Sequence, residues 1–596
     1  MTAVPASPQS PNLALLLGLA WLVVVAQLLA DHWAETAQTF PDMDDAMRMV
    51  EVRGFLDGRG WFDLHEMRLG PPDGYDTHWS RLVDAGIAGQ ILAFRPFMDA
   101  ALAERLARTI WPMLWLLPAM AGVAAIAWRL AGSAGAPIAF LFAALGLPAF
   151  QHFIPGRIDH HNVQIALAVA LVAATAWSDR RHFAATAAGI LTGVAMAVGF
   201  EGGPYVVLAG AAMALRFICD PSGAGPLRRY GLSAAASVAV AFVISVGPAH
   251  WAATACDAIA INSAAAVVVA TLGLALAAAA LAPAGWPARA GGVLGCGLVS
   301  TVVFLALEPA CLAGPFAMMD PMVRSIWFTQ VSEMQSLPTV AGTSAPMAAA
   351  VASFPAVGVL CALALARDRK LRGDFGFVVA TAALLVAVAV MLAMVRAYSY
   401  AVWLAIPMAA AAALRLGSAL RLATLAGRTL VALMLTPTVT SAVALAAVGA
   451  MTRQDTGPEN SRVTEGCLRS ETYAGLAKLP PGLVATDIDY GPYVLALTPH
   501  SVMSAPYHRL AAPIIAAHQI FALPPDAAVA VVVETGVDYL VTCGRHALGG
   551  IGAAERAASL WGRLAAGEVP AWLERVETES SPLAVYRVKH QKYDAD

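Results

Sequence analysis

The heptapeptide Gly156-Arg157-Ile158-Asp159-His160-His161-Asn162 lies between two apolar stretches, near 136–153 and 162–178. It gathers a carboxylate, two imidazoles and a guanidinium at the start of a helix. Aspartate and neutral imidazole are ligands for Mn²⁺ and related divalent cations, and a cation at a helix N-terminus suits a phosphate. In hydrocarbon each charge would cost roughly 2.5–3.5 kcal/mol on insertion scales, so the cluster belongs at a membrane boundary and calls for a purpose. The alternative is an interfacial helix cap, with Asp159 as N-cap and both histidines facing water.

Other stretches could supply partners. Phe40-Pro41-Asp42-Met43-Asp44-Asp45-Ala46-Met47-Arg48 puts three carboxylates in four positions. They repel one another unless a cation neutralises them, and hard oxygen ligands favour Mg²⁺ or Mn²⁺; the other reading is an acidic turn capping a helix from Asp44 to Leu56. Gly70-Pro71-Pro72-Asp73-Gly74-Tyr75-Asp76-Thr77-His78-Trp79-Ser80-Arg81 is a turn followed by a ring, a donor and a cation. His78 and Arg81 suit a glycan or phosphate site, or a loop lying on the bilayer surface, where Trp is enriched. Glu333 stands in Gln330-Val331-Ser332-Glu333, and Arg396 at the outer end of an apolar segment, where a guanidinium either snorkels to lipid or clamps a substrate phosphate.

These residues need a membrane to position them. The chain has 596 residues, 59% hydrophobic and 13% charged, more apolar surface than a soluble fold of this size can bury, so a polytopic membrane protein is expected. Its net charge of −3 gives no basic surface for nucleic acid. A window of about 19 residues finds thirteen apolar segments, near 11–30, 110–130, 136–153, 162–178, 183–200, 203–217, 232–250, 264–283, 290–309, 347–366, 376–395, 398–415 and 428–450. The first, lacking a basic flank, reads as a retained helix. With the N-terminus inside, the inner loops hold Arg129, Arg180, Arg181, Arg216, Arg228, Arg229, Arg289, Arg367, Arg369, Lys370, Arg372, Arg415, Arg421 and Arg428. The short outer loops hold only Arg157 and Arg396. That asymmetry satisfies the positive-inside rule and sets Asp159 outside.

Three hydrophilic blocks then face the exterior: a first loop at 31–109, a last long loop at 310–346 and a C-terminal region at 451–596. A membrane domain over 1–450 is followed by an exported α/β domain over 451–596. Its strand-like runs (483–485, 528–533, 539–543, 583–588) alternate with helical stretches around 508–521 and 553–566. Seven cysteines include no Cys-x-x-Cys pair, so no zinc knuckle is expected. Cys467 and Cys543 share the exported block and are either a disulfide or two free thiols.

The order of these elements resembles the GT-C membrane glycosyltransferases, in particular the catalytic subunit of oligosaccharyltransferase and its single-subunit archaeal and bacterial relatives. An Asp six residues before an Arg in the first outer loop matches Asp42 and Arg48. A Gly-x-x-Asp-x-acidic-or-His pattern matches Gly156 to His161, a Ser-Val-Ser-Glu element is similar to Gln330 to Glu333, and a late Arg is similar to Arg396. Thirteen helices with an exported C-terminal domain are also that family's layout. The resemblance implies one Mg²⁺ or Mn²⁺ held by Asp42, Asp159, His161 and Glu333, gripping the phosphate of a polyprenyl-linked sugar donor. It implies that Asp42 and Glu333 serve the acceptor nucleophile, that Arg396 offsets charge, and that transfer is direct and inverting. Arg157, His160, Arg396, His78 and Arg81 are the expected donor and phosphate contacts.

The chain departs from the family where the acceptor is read. The Trp-Trp-Asp-Tyr-Gly signature is absent, and the nearest string is Thr486-Asp487-Ile488-Asp489-Tyr490-Gly491. N-glycosylation of protein is therefore in doubt, and a lipid, glycan or protein acceptor stays open; Ala505-Pro506-Tyr507-His508-Arg509 is either part of another acceptor site or a structural turn. The expectation is a glycosyltransferase in a bacterial inner membrane, working on the periplasmic face. The competing class is a transporter or flippase, but transporters gather charge at the midplane on broken helices, whereas here it collects at one face.

Overall fold

The computed structural model describes residues 12–421, 424–452, 466–544, 551–578 and 581–589. The chain is a polytopic, mostly α-helical membrane protein with a C-terminal mixed α/β region. Helix α1 (Leu13–His32) starts at Asn12, whose side chain accepts the Leu15 N–H. The segment between α1 and the next long helix contains α2 (Met43–Leu56), a two-stranded ribbon of β1 (His65–Glu66) and β2 (Tyr75–Asp76), and α3 (Arg81–Phe94). Then come α4 (Ala100–Ala131), α5 (Gly135–Ala144), α6 (His161–Trp177), α7 (His182–Val198), α8 (Gly203–Cys219), α9 (Ala224–Ser245), α10 (Ile261–Ala280) and α11 (Trp286–Leu307). The helices Ala345–Leu365, Phe375–Ala393 and Tyr398–Ala419 follow, and then Leu425–Met434 and Pro437–Thr452.

Among the described residues, eight helices are long and apolar enough to cross a bilayer, or nine if the last two count as one span bent by 58°. Thirteen separate spans are not reached by length alone. Two of the expected segments form the single run Ala100–Ala144, and α6, α7 and α8 are apolar but only 17 residues each. The late bend falls where Pro437 interrupts the helical hydrogen bonds. Helix α4 begins ten residues before the hydropathy window located it, because Asp99 caps it and its charged first turns are paired: Arg53 grips Glu104 at 2.8 and 3.0 Å.

The C-terminal region builds a five-stranded sheet in the order β4-β3-β5-β7-β6, from β3 (Leu483–Thr486), β4 (Ser501–Val502), β5 (Tyr539–Cys543), β6 (Leu573–Val576) and β7 (Leu583–Val588). Strand β3 runs parallel to β4 and β5, while β7 is antiparallel to β5 and β6. The run 528–533, expected as a strand, lies instead in the helix Pro525–Thr535. A proline and Asp526 open that helix, left-handed Gly536 closes it, and Ala528 and Val532, one turn apart, are its buried residues.

This region packs directly onto the segment between α1 and α4. Val502 donates to Arg68 O at 2.8 Å and accepts from Gly70 N–H at 2.9 Å, and the Tyr493 hydroxyl donates to Phe40 O at 3.1 Å. Residues from both sides share one continuous apolar core. Cys467 pairs with Cys543 and Cys256 with Cys311, whereas Cys219, at the far end of α8, is free. Only the first of these pairings was considered from the sequence.

Candidate active site

Gly156 makes the site possible. Its φ of +98° favours glycine, and a Cβ there would lie 2.9 Å from the Pro41 ring. The chain can therefore press 157–161 against the start of α2. Asp45, fully buried, accepts the backbone N–H of Ile158 at 2.7 Å and of Asp159 at 3.0 Å. Arg157 bonds Asp42 at 2.7 Å, and Asp42 also caps α2 by accepting the Asp44 N–H at 3.1 Å. The two acidic stretches, 113–115 residues apart in the chain, are thus in contact.

Asp159, His160 and His161 each present a ligand atom within 4.8 Å of the others, a group that could hold a metal ion. Asp159 Oδ1 lies 2.5 Å from His160 Nδ1, and Oδ2 lies 2.8 Å from His161 Nε2. Among the described residues Oδ2 nevertheless has no partner in hydrogen-bond geometry, so oxygen and nitrogen converge on one spot without a proton aligned between them. Arg48 backs the trio. Its guanidinium donates to Asp84 at 2.7 Å, sits 3.3 Å from His160 Nδ1 and stacks 4.4 Å over the Trp79 ring. The donor set of one carboxylate and two imidazoles suits Mn²⁺ better than Mg²⁺, which prefers oxygen alone.

Arg396 crosses the site from the start of the helix Tyr398–Ala419. It pairs with Glu333 at 2.7 Å and with Glu201 at 2.7 Å, and its Nη2 makes a very short contact with His161 Nε2. The chemistry is edged by too many carboxylates for its cations. Burial, together with repulsion from Asp159 and Asp42, raises the Asp44 carboxyl well above the usual range. Burial and the same kind of repulsion, from Asp42 and Asp159, push Asp45 to about 7 against the pull of Arg157. For Asp42 burial also works upward, but Arg157 outweighs it and holds the group low.

A cavity of 1370 Å³ opens on this cluster. Asp42, Asp44, His160, Glu201, Glu333 and Arg396 line one side. Asp487, Asp489, Tyr490, Tyr507 and His508 of the C-terminal region line the other. Space of this size takes more than one small molecule.

Of the residues singled out from sequence, Asp42, Arg157, Asp159, His160, His161, Glu333 and Arg396 come together here. His160, expected as a phosphate contact, lies with Asp159 and His161 in the group that could hold a metal ion. Arg81 does not reach the cavity: it is buried on Asp84 at 3.1 Å and Glu51 at 3.8 Å and also donates to the Asp63 carbonyl. His78 lines the cavity beside Asp257, at 4.0 Å, but burial drives its pKa down to about 3, so it brings no positive charge to a phosphate. Asp257 is shared with His508 at 2.8 Å and Arg509 at 2.5 Å, which makes Pro506–Arg509 a tie between the C-terminal region and the α9–α10 loop.

Glu201 went unnoticed in the sequence. It is the one acid between the apolar segments 183–200 and 203–217, the same kind of isolated charge at a membrane boundary that made Asp159 stand out. Asp44, one of the three carboxylates of the acidic run, is the neighbour of Asp42 that faces the cavity.

No protein-family model and no curated protein matches the chain. Solved structures do. The oligosaccharyltransferase AglB from Archaeoglobus fulgidus, in complex with an inhibitory peptide and a dolichol-phosphate, aligns with a TM-score of 0.64 at 14% identity, over 89% of this chain and 69% of that one. An Archaeoglobus fulgidus oligosaccharyltransferase in complex with Zn and sulfate aligns at 0.58 and 17% identity, over 88% and 67%. ArnT from Cupriavidus metallidurans, bound to undecaprenyl phosphate, covers 97% of this chain and 98% of its own, but at a TM-score of 0.44 it adds no argument. At such identities the likeness establishes the fold.

Proposed function

We propose that this chain, which carries the GT-C fold of the archaeal oligosaccharyltransferases, is a glycosyltransferase that moves a sugar or glycan from a polyprenyl-(pyro)phosphate donor to an acceptor outside the membrane. The observation that carries the reading is the Asp159–His160–His161 trio opening on a cavity of 1370 Å³ at the ends of apolar helices. AglB binds a dolichol-phosphate, a lipid of the donor class, and the related oligosaccharyltransferase binds a metal and an oxyanion. A divalent cation held by Asp159 and His161, with Asp42, Glu333 and His160 at hand, would neutralise the donor phosphate and ease its departure.

The chain's own residues do the rest. Arg396, which lines the cavity, draws the phosphate in and offsets its charge, with Arg157 behind it on Asp42. The acceptor nucleophile attacks the anomeric carbon as the bond from that carbon to the phosphate oxygen breaks, and the phosphate leaves with the electron pair. The acceptor's proton passes to Asp42 or to Asp44 beside it. Without a covalent sugar intermediate the anomeric centre inverts. The acceptor is a lipid, glycan or protein read by Asp487, Asp489 and Tyr490. The two disulfides at the site's end, against the free Cys219 at the other, fit an oxidising exterior such as a periplasm beyond a bacterial inner membrane.

The test is transfer from a short-chain polyprenyl-phosphate sugar by the purified full chain. Chelation with excess EDTA should stop it and Mn²⁺ should restore it; full turnover in EDTA removes the metal from the reading. Passage of the intact donor across a vesicle with no bond broken would replace transfer by transport.

A further inference from the structure

We infer that Glu201 is a positioning residue that fixes the tautomer and orientation of His161 so that its Nε2 serves the cation. The inference rests on the metal reading above and adds to it a residue that the acidic motifs do not contain. Both Glu201 carboxylate oxygens lie 3.1 Å from His161 Nδ1. The opposite ring nitrogen, Nε2, is 2.8 Å from Asp159 Oδ2 and is the one closest to Arg396 Nη2, which stands 3.2 Å from Nδ1. A carboxylate can only accept, so a ring proton stands on Nδ1, facing Glu201. Nε2 is then the nitrogen left to offer a lone pair to a cation beside Asp159 Oδ2. A carboxylate–histidine–cation line of this kind sets the ring and raises the basicity of the ligating nitrogen.

Glu201 is itself held from three sides. Its backbone N–H donates to Gln164 Oε1 at 3.0 Å, tying the α7–α8 turn to α6 one turn beyond His161. The Tyr400 hydroxyl donates to Oε2 at 3.1 Å, and Arg396 Nε pairs with Oε1 at 2.7 Å. A Cβ at Gly199 would come within 2.5 Å of the Gln164 amide, so the glycine permits this approach. A carboxylate so restrained is placed for one job, and its neighbours join the three elements that carry His161, Arg396 and the cavity wall.

The experiment titrates Mn²⁺ into the metal-free, detergent-purified full chain, following free Mn²⁺ by its EPR signal and the coordinated imidazole by ¹⁴N modulation in pulsed EPR. Glu201→Ala should weaken Mn²⁺ binding by about 10- to 100-fold and reduce the imidazole modulation. Glu201→Gln, whose amide oxygen still accepts from Nδ1, should stay within several-fold of wild type with the modulation intact. Tyr400→Phe, which leaves the carboxylate in place, should cost less than Glu201→Ala and covers the case in which that variant does not fold. If wild type binds Mn²⁺ and Glu201→Ala binds it equally, or if Gln is as poor as Ala, the positioning role is wrong while the metal reading stands. If wild type binds no Mn²⁺, both fall.

Discussion

Helix α6 runs for about 25 Å between two groups of buried charge built on opposite plans. At its C-terminal end Arg129 lies between Asp179 and Asp374, with bonds of 2.5 and 2.8 Å to the first and 2.9 Å twice to the second. Arg180 and Arg216 complete the set at 2.6 and 3.1 Å. Every carboxylate oxygen there has a cationic partner, and none of these residues lines the cavity. At the N-terminal end Asp42, Asp44, Asp45, Asp159, Glu201 and Glu333 share Arg157 and Arg396, while Arg48 is bonded to Asp84 and lies 3.8 Å from Asp159. Among the described residues, Asp45 Oδ2 and Asp159 Oδ2 lack a hydrogen-bond donor. A closed, saturated cluster holds helices together; an open one short of positive charge is made to be completed by something else.

The comparison breaks most decisively at Asp159. Replacing it with Ala should lower transfer on the order of 10³-fold, because the phosphate loses its main counter-charge at the moment of departure, while the protein stays folded. Retention of near wild-type transfer by folded Asp159→Ala would place the open cluster among structural features. Arg129→Ala is the mirror experiment. It removes the central cation, leaving Asp179 with Arg216 and Asp374 with Arg180, and should cost roughly 3 kcal/mol of stability, read as a drop in Tm in detergent, with transfer per folded molecule unchanged. A catalytic defect without loss of Tm would make the Arg129 cluster more than a clamp.

How much of this was legible beforehand depended on whether the signal was local. The apolar segments and the arginine asymmetry needed only hydropathy and charge, and Gly156 to His161 announced itself as polar residues where none belong. Glu201 was equally isolated, but one acid in a two-residue gap between segments looks like a miscounted turn until the fold brings it to His161. Arg81 misled in the other direction: a cation beside His78 and Trp79 suggests a phosphate, yet Asp84, three residues on in the same helix, captures it. The helix Pro525–Thr535 was mistaken for a strand because its Val-rich face has strand composition, while its caps, Pro525 and Gly536, carry the helical signal. Contacts between distant segments, such as Cys256 with Cys311, leave no pattern in a single sequence.

The mildest test uses pH to read the charge imbalance itself. Asp45 has its pKa raised to about 7 from an ordinary carboxylate value near 4, so the folded state holds a proton that the unfolded chain releases. Stability from that proton is present in full below about pH 4 and is lost as pH rises toward 7, then levels off. Metal-free protein should therefore lose Tm across that window. Asp45→Asn, which keeps an oxygen for the Ile158 and Asp159 N–H groups, should flatten the slope. A cation reverses the sign: deprotonation of Asp45 adds negative charge around the trio, so apparent Mn²⁺ affinity should rise over the same interval and rise less in Asp45→Asn. The Arg129 cluster offers the control, since its carboxylates are already ion-paired and Asp374 is held low by Arg129 despite partial burial. If Mn²⁺ affinity were independent of pH from 5 to 8, the surplus of carboxylates at the N-terminal end of α6 would not be what draws the cation in.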